Sequence, residues 1–435
     1  MKTKRYFYVA TALFMGALAF ASCSDDEEGN GGNGGNGGNG DKDSTAVSDR
    51  YEDRTYGNEA IVACEDVVLQ LQRANTTIGT SQLSADQETF LRNVLNHFVD
   101  DVVVPTYTNL ADDVENLEST LNGLTVSTIT QAQVDEACRY FKQARANWEL
   151  SEAFLGGAAT DFDVDPTIDS WPLNRTSLLS YFNSGMPAEQ LGDQSILGFH
   201  ALEFILFRDG QPRKVAEFQG YDSYKNFGGV SGAQELQYAQ TVCTLLKQRT
   251  FQLQIAWEGV TTENQGRANV VAAANLGITT QNGLSYGDNI KGAGVNSLST
   301  FPRLQDAITQ VLSHDEGSAA AIANEVGTAK IANPFSAGDI SYVESPYSYN
   351  SITDFQDNIL SIRNVWYGST DGSIANYSFH NFFASVSGGD ATNTAVEGAF
   401  NDAVEKIGNM PAPFVKYVST IWNLAFEDDN TYEEY

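Results

Sequence analysis

Apolar residues recur at helical spacing along most of this chain. In SADQETFLRNVLNHFVDDVVVPTYTNLADDVENLESTL, Phe90, Leu91, Val94, Leu95, Phe98 and Val102 make one stripe, and Leu110, Val114, Leu117 and Leu121 another. Such stripes belong to helices that bury one face. Ser84 and Gln87 open the segment at capping-box spacing. Pro105 predicts a kink or a split, because it has no N–H to give and crowds the turn before it. A second segment starts at Thr130 and Gln133, repeats Val134, Ala137, Phe141, Ala144 and Trp148, and predicts a helix ending at Gly156-Gly157. Long helical patterns also cover 231–258, 299–330, 350–367 and 393–425, while strand-like alternation is scarce. The expected fold is all-α, built as two helical bundles. No internal repeat is visible, although a worn duplication of one bundle would leave none. Irregular stretches fall at 156–187, 209–232 and 275–300; the middle one marks the expected boundary between bundles at 47–220 and 221–435.

One segment departs from the amphipathic rule. SILGFHALEFILF, Ser195 to Phe207, is apolar on every face except for His200 and Glu203. A helix apolar all round is a buried one. A carboxylate carried inside needs a cation, a hydrogen-bond network or a proton. The i, i+3 spacing places both side chains on one face, close enough to share a metal ion. Gly198 lets another backbone approach just before them. The alternatives are a satisfied core pair, or a salt bridge in which Arg363 neutralises Glu203.

Charge narrows the choice of guest. The 435 residues hold 25 Lys plus Arg against 56 Asp plus Glu, a formal charge of −31. Nucleic acid is excluded as a partner, because phosphate binding needs a basic footprint. Cations or small ligands suit this chain better. At the N-terminus, MKTKRYFYVATALFMGALAFASC reads as a signal segment of residues 1–22 with small residues before Cys23. It resembles a bacterial lipobox, in which Cys23 is lipidated, with Phe20 in place of the usual Leu. Residues 23–46 then form an acidic and Gly/Asn-rich tether. The acidic run resembles the surface-export signal of some Bacteroidetes lipoproteins. The expectation is an outer-membrane lipoprotein, periplasmic or exposed at the cell surface.

Hydrolase signatures are thin. No His-Glu-x-x-His occurs. GLSYG, Gly283 to Gly287, has the letters of a nucleophile elbow but follows no strand and is expected to precede no helix. His97, His314 and His380 are expected at surface or packing positions. Cys64, Cys138 and Cys243 fit neither a metal finger nor a redox motif, and are expected as buried thiols.

GFHALEFILF resembles the Gly-x-His-x-x-Glu signature of the imelysin-like family. NWELSEAFLGG with IDSWP, YNSITDFQDNILSIRNVWYGS, and FNDAVEKIGNMPAPF resemble its other segments in order, from about Val102 to Phe414. The resemblance implies an all-helical, two-bundle fold with the signature at the cleft. It also implies functions among the family's iron-regulated surface proteins, iron-uptake and alginate-binding relatives, and an insulin-cleaving peptidase. Residue by residue it points to His200 and Glu203, to Trp148, Glu149 and Glu152, and to Asp357, Asn358, Arg363 and Tyr367. Two readings follow. In the first, His200, Glu203, Glu149 and Glu152 bind a metal ion, iron or zinc rather than copper, since one imidazole among carboxylates suits a borderline-to-hard cation. In the second, a metal on His200 activates water, with Glu203 or Glu149 as general base. A weaker third reading, acidic-polysaccharide binding along Tyr107, Tyr221 and Tyr224, is disfavoured by the net charge.

Overall fold

A computed structural model describes residues 50–186, 191–224 and 226–424. The signal segment, Cys23 and the tether lie outside the described residues. The expected capping box forms: the Ser84 N–H donates to Gln87 Oε1 at 2.8 Å, and Ser84 Oγ accepts the Gln87 N–H at 3.2 Å. The helix Ala85–His97 then passes through a π-helical turn, Phe98–Val103, into a further helix, Val104–Asn122. Pro105 neither splits nor ends the rod. It sits in the first turn of the last section, where the widened turn before it takes up the missing hydrogen bond.

The remaining helices follow the apolar pattern with local corrections. Gln131–Glu149 stops short of the expected glycines and hands over to a 3₁₀ turn, Glu152–Phe154. Gly232–Glu258 and Ser351–Tyr367 match their predicted spans. The pattern at 299–330 is two helices, Leu304–Leu312 and Ala319–Glu325, because Gly317 turns the chain at φ +61°. A second π-helical turn, Val326–Ala332, continues the latter. The pattern at 393–425 likewise divides at Pro411 and Pro413 into Gly389–Asn409 and Phe414–Ile421. Among the described residues the only sheet is a two-residue antiparallel pair, Phe207–Arg208 with Gln211–Pro212. The fold is all-α.

Pairing of helices crosses the chain. Val104–Asn122 packs on Gln131–Glu149 and on Gly232–Glu258, which in turn covers Gly198–Leu206. Thr55–Thr80 packs on Gly389–Asn409 and Ala319–Glu325, and Ser351–Tyr367 lies against the same two. Ser351–Tyr367 also touches Gln131–Glu149, and that seam joins the two groups. The described residues cluster as one unit. Cys64, Cys138 and Cys243 are free and buried. Among the described residues, no helix is long and apolar enough to cross a membrane.

Candidate metal centre

The signature helix, Gly198–Leu206, is buried along its whole length. Gly198 starts it at φ +77°, a conformation that favours glycine, with the Ile168 backbone against its Cα. That contact brings the next residue, Asp169, over the helix. Asp169 Oδ1 lies 3.1 Å from His200 Nε2, and its Oδ2 accepts the Trp148 indole N–H at 2.7 Å. His200 Nδ1 faces Glu203 Oε2 at 3.4 Å. Glu203 Oε1 accepts the N–H groups of Tyr347 and Ser348 at 3.0 and 2.8 Å and the Ser348 hydroxyl at 2.7 Å. Glu203 therefore pins the 344–348 loop and orients the imidazole.

Two cations missed by the sequence reading sit among these acids. Arg145, one turn before Glu149, places Nη2 2.5 Å from Glu149 Oε1 and 2.6 Å from Glu344 Oε1, and its other nitrogens reach Asp169 and Asp354. Lys330 Nζ lies 3.1 Å from Glu344 Oε1 and 3.6 Å from Glu149 Oε2. Asn358 donates to Glu149 Oε2 at 2.5 Å. Asp354 is a further buried member of the network, held by Ser345 and Asn350 at 2.5 Å.

Burial sets the electrostatics. It raises the pKa of Glu149 and of Glu152 well above the carboxylate range, against the opposing pull of Arg145 and Lys330 on the first and Lys330 on the second. For Asp169 burial also works against the charge, but Arg145, then His200 and Lys330, outweigh it and hold the carboxyl low. For His200 burial works against the cation, and the hydrogen bonds to Asp169 and Glu203 outweigh it, lifting the imidazole to about 9. Burial and the Asp354 charge push half-buried Asp357 up to about 7. At neutral pH the imidazole thus holds a proton that a metal ion would replace.

Of the sequence-predicted residues, the structure brings together Trp148, Glu149, Glu152, Gly198, His200, Glu203 and Asn358. It does not bring in Arg363 or Tyr367. Arg363 bonds Asn364 at 3.3 Å and does not reach Glu203; the cations beside the signature are Arg145 and Lys330. Tyr367 packs edge-on to His380 and Phe400. The four expected ligands also do not form one set. The donor atoms of Asp169, His200 and Glu344 lie within 4.8 Å of one another, and so do those of Glu149, Glu152 and Asp169. Asp169 stands in the quoted IDSWP segment, whereas nothing in the letters around Lys330 or Glu344 marks them.

The other candidates resolve simply. His97 pairs with Asp101 at 2.5 Å, His380 with Glu397, and His314 lies in an exposed turn. Contrary to expectation GLSYG does open a helix, Tyr286–Lys291, which Ser285 caps through the Asp288 N–H at 3.0 Å. Tyr107 and Tyr224 are buried, so with Tyr221 they form no sugar surface.

Residues 103–427 match the family model of imelysin, Peptidase M75. The chain belongs to the imelysin family. This imelysin is similar to iron-regulated protein A of Synechococcus elongatus, 24% identical over 315 residues, which span 71% of this chain and 75% of that one. A crystal structure from Parabacteroides distasonis, described as an iron-regulated protein A precursor, covers 79% of this imelysin and 96% of its own chain at 24% identity, with a TM-score of 0.55. The all-helical imelysin fold is common to both.

Proposed function

We propose that this imelysin binds a metal ion through His200 Nε2, Asp169 and Glu344, in a role tied to iron handling. One observation carries the reading. In a cluster of buried side chains, the carboxylates of Glu149, Glu152, Asp169, Glu203, Glu344 and Asp354 outnumber the cations Arg145, Lys330 and His200, and Glu344 Oε2 has no hydrogen-bond partner. Buried charge without compensation is costly, and a metal ion supplies the missing positive charge. The donor set, one imidazole with carboxylates, fits iron or zinc. The name of the cyanobacterial relative supports iron.

The peptidase reading that the family name carries asks for more. Metal-assisted hydrolysis needs an open coordination position and a groove for a peptide. The cavity that reaches His200, lined by Trp171, Arg175 and Tyr347 among others, measures about 100 Å³, room for a few heavy atoms. Binding is the simpler use of such a site. We further propose, from the sequence, that Cys23 anchors the chain to a membrane by its lipid; Cys23→Ala should release the exported protein from the membrane fraction.

Metal analysis with calorimetric titration of the purified chain against Fe(II), Zn(II) and Ca(II) tests the main reading. A stoichiometric uptake of Fe(II) or Zn(II), lost in His200→Ala, is expected, with no turnover of unfolded peptides. Equal uptake in both chains would remove His200 from the site, and metal-dependent cleavage lost in His200→Ala would establish the peptidase.

A further inference from the structure

Lys330 is buried, 1% exposed, and its ammonium is met by two carboxylates at once. Glu344 Oε1 stands at 3.1 Å and Glu149 Oε2 at 3.6 Å. Lys330 is also the largest opposing charge acting on Glu152 and on Glu325. Oxygens converging on one positive centre are what a hard cation requires. Glu344 also keeps a buried oxygen, Oε2, with no hydrogen-bond partner, so the single ammonium leaves acceptor capacity unused. Ligand atoms of Glu149, Glu152 and Asp169 also lie within 4.8 Å of one another. Asp169 is the member shared with the His200 set, so the two groups of acids abut.

The backbone places this lysine with care. Lys330 lies in the π-helical turn Val326–Ala332, a rare helical form that is frequent at functional sites. A lysine is a compact charge on a flexible stem, and unlike the forked guanidinium of Arg145 it occupies a point. A metal ion does the same.

We infer that Lys330 is a tethered stand-in for a second cation: its ammonium fills a metal position formed by Glu149 and Glu344, with Glu152 beside Glu149, next to the His200 site. The lysine neutralises that position at all times, and so restricts the cluster to a single exchangeable ion. The inference deepens the proposed metal binding, but its test does not depend on it. Lys330→Met removes the charge while keeping the apolar stem, and the position then accepts a divalent ion.

Equilibrium dialysis of the full chain against Mn(II) and Fe(II), with metal counted by mass spectrometry, reads the result. Lys330→Met should hold one equivalent more than the parent chain, and His200→Ala with Lys330→Met should keep that added equivalent. A parent chain that takes up no metal sinks the His200 reading; Lys330→Met taking up one equivalent still supports the stand-in. A folded Lys330→Met chain with unchanged stoichiometry overturns the inference. If Lys330→Met unfolds without metal while Lys330→Arg does not, Mn(II) should restore its thermal transition, and failure to restore it also overturns the inference.

Discussion

Gly198 and Ile168 meet backbone to backbone: a β-carbon on Gly198 would lie 2.1 Å from the Ile168 carbonyl oxygen. Main chain cannot step aside as a side chain can, and the φ of +77° adds strain for any other residue. Gly198→Ala should therefore cost at least ~1–3 kcal/mol from the backbone strain alone. The contact also carries Asp169 to His200, so the variant should lose metal affinity along with stability. Urea midpoints and calorimetry check the pair of effects.

Arg145 is the hub of four buried acids. Arg145→Met should destabilise the chain by roughly 3–5 kcal/mol at neutral pH, because it leaves carboxylates buried without their partner. The loss should shrink at pH 5, where those acids can take up protons. Denaturation at the two pH values distinguishes this from a packing defect, which would be pH-independent.

His200 gives the metal-free chain a pH signature. Folding lifts its pKa from 6.5 to about 9. Its contribution is present in full below pH 6.5 and is lost as pH rises through 9. That contribution is of order 3 kcal/mol. The difference in stability between the parent and His200→Gln should narrow by that order between pH 6 and pH 10. A constant difference would mean that the imidazole is neutral throughout.

Glu203 is placed to orient the imidazole rather than to ligate. Glu203→Gln keeps the shape that accepts the Tyr347 and Ser348 N–H groups but removes the charge facing His200 Nδ1. Metal affinity should fall by about 10–100-fold with stoichiometry unchanged, as for other partners behind a metal-bound histidine. Loss of the equivalent itself would make Glu203 a ligand.

The helices were readable because each buries one stripe, and the pair His200 and Glu203 because they interrupt an apolar run. Their company was not. Arg145 looks like one more surface arginine in QARANWE, and Lys330 and Glu344 come from a region whose letters follow no metal spacing. Long-range electrostatics brings them in, and nothing local announces it. The misplacement of Arg363 has a simple geometric cause. It follows Asn358 by five residues, about 140° round a helix at 100° per residue, so the two cannot share a face. Asp354, Asn358 and Ser361 are spaced four and three apart, and that face meets the site. Pro105 shows the converse limit, since an expected break became a widened turn once the surrounding helices held the rod in line.

The pairing of Thr55–Thr80 with Gly389–Asn409 imposes an order in time. The helix Thr55–Thr80 has its packing partners at Ala319–Glu325 and Gly389–Asn409, more than two hundred residues later, so its apolar stripe stays uncovered until late in synthesis. Contacts so distant in sequence form slowly and leave sticky surface exposed meanwhile. Chains truncated before residue 389 should accumulate on holding chaperones rather than fold in part, and Gly389–Asn409 acts as a closing clasp on Thr55–Thr80.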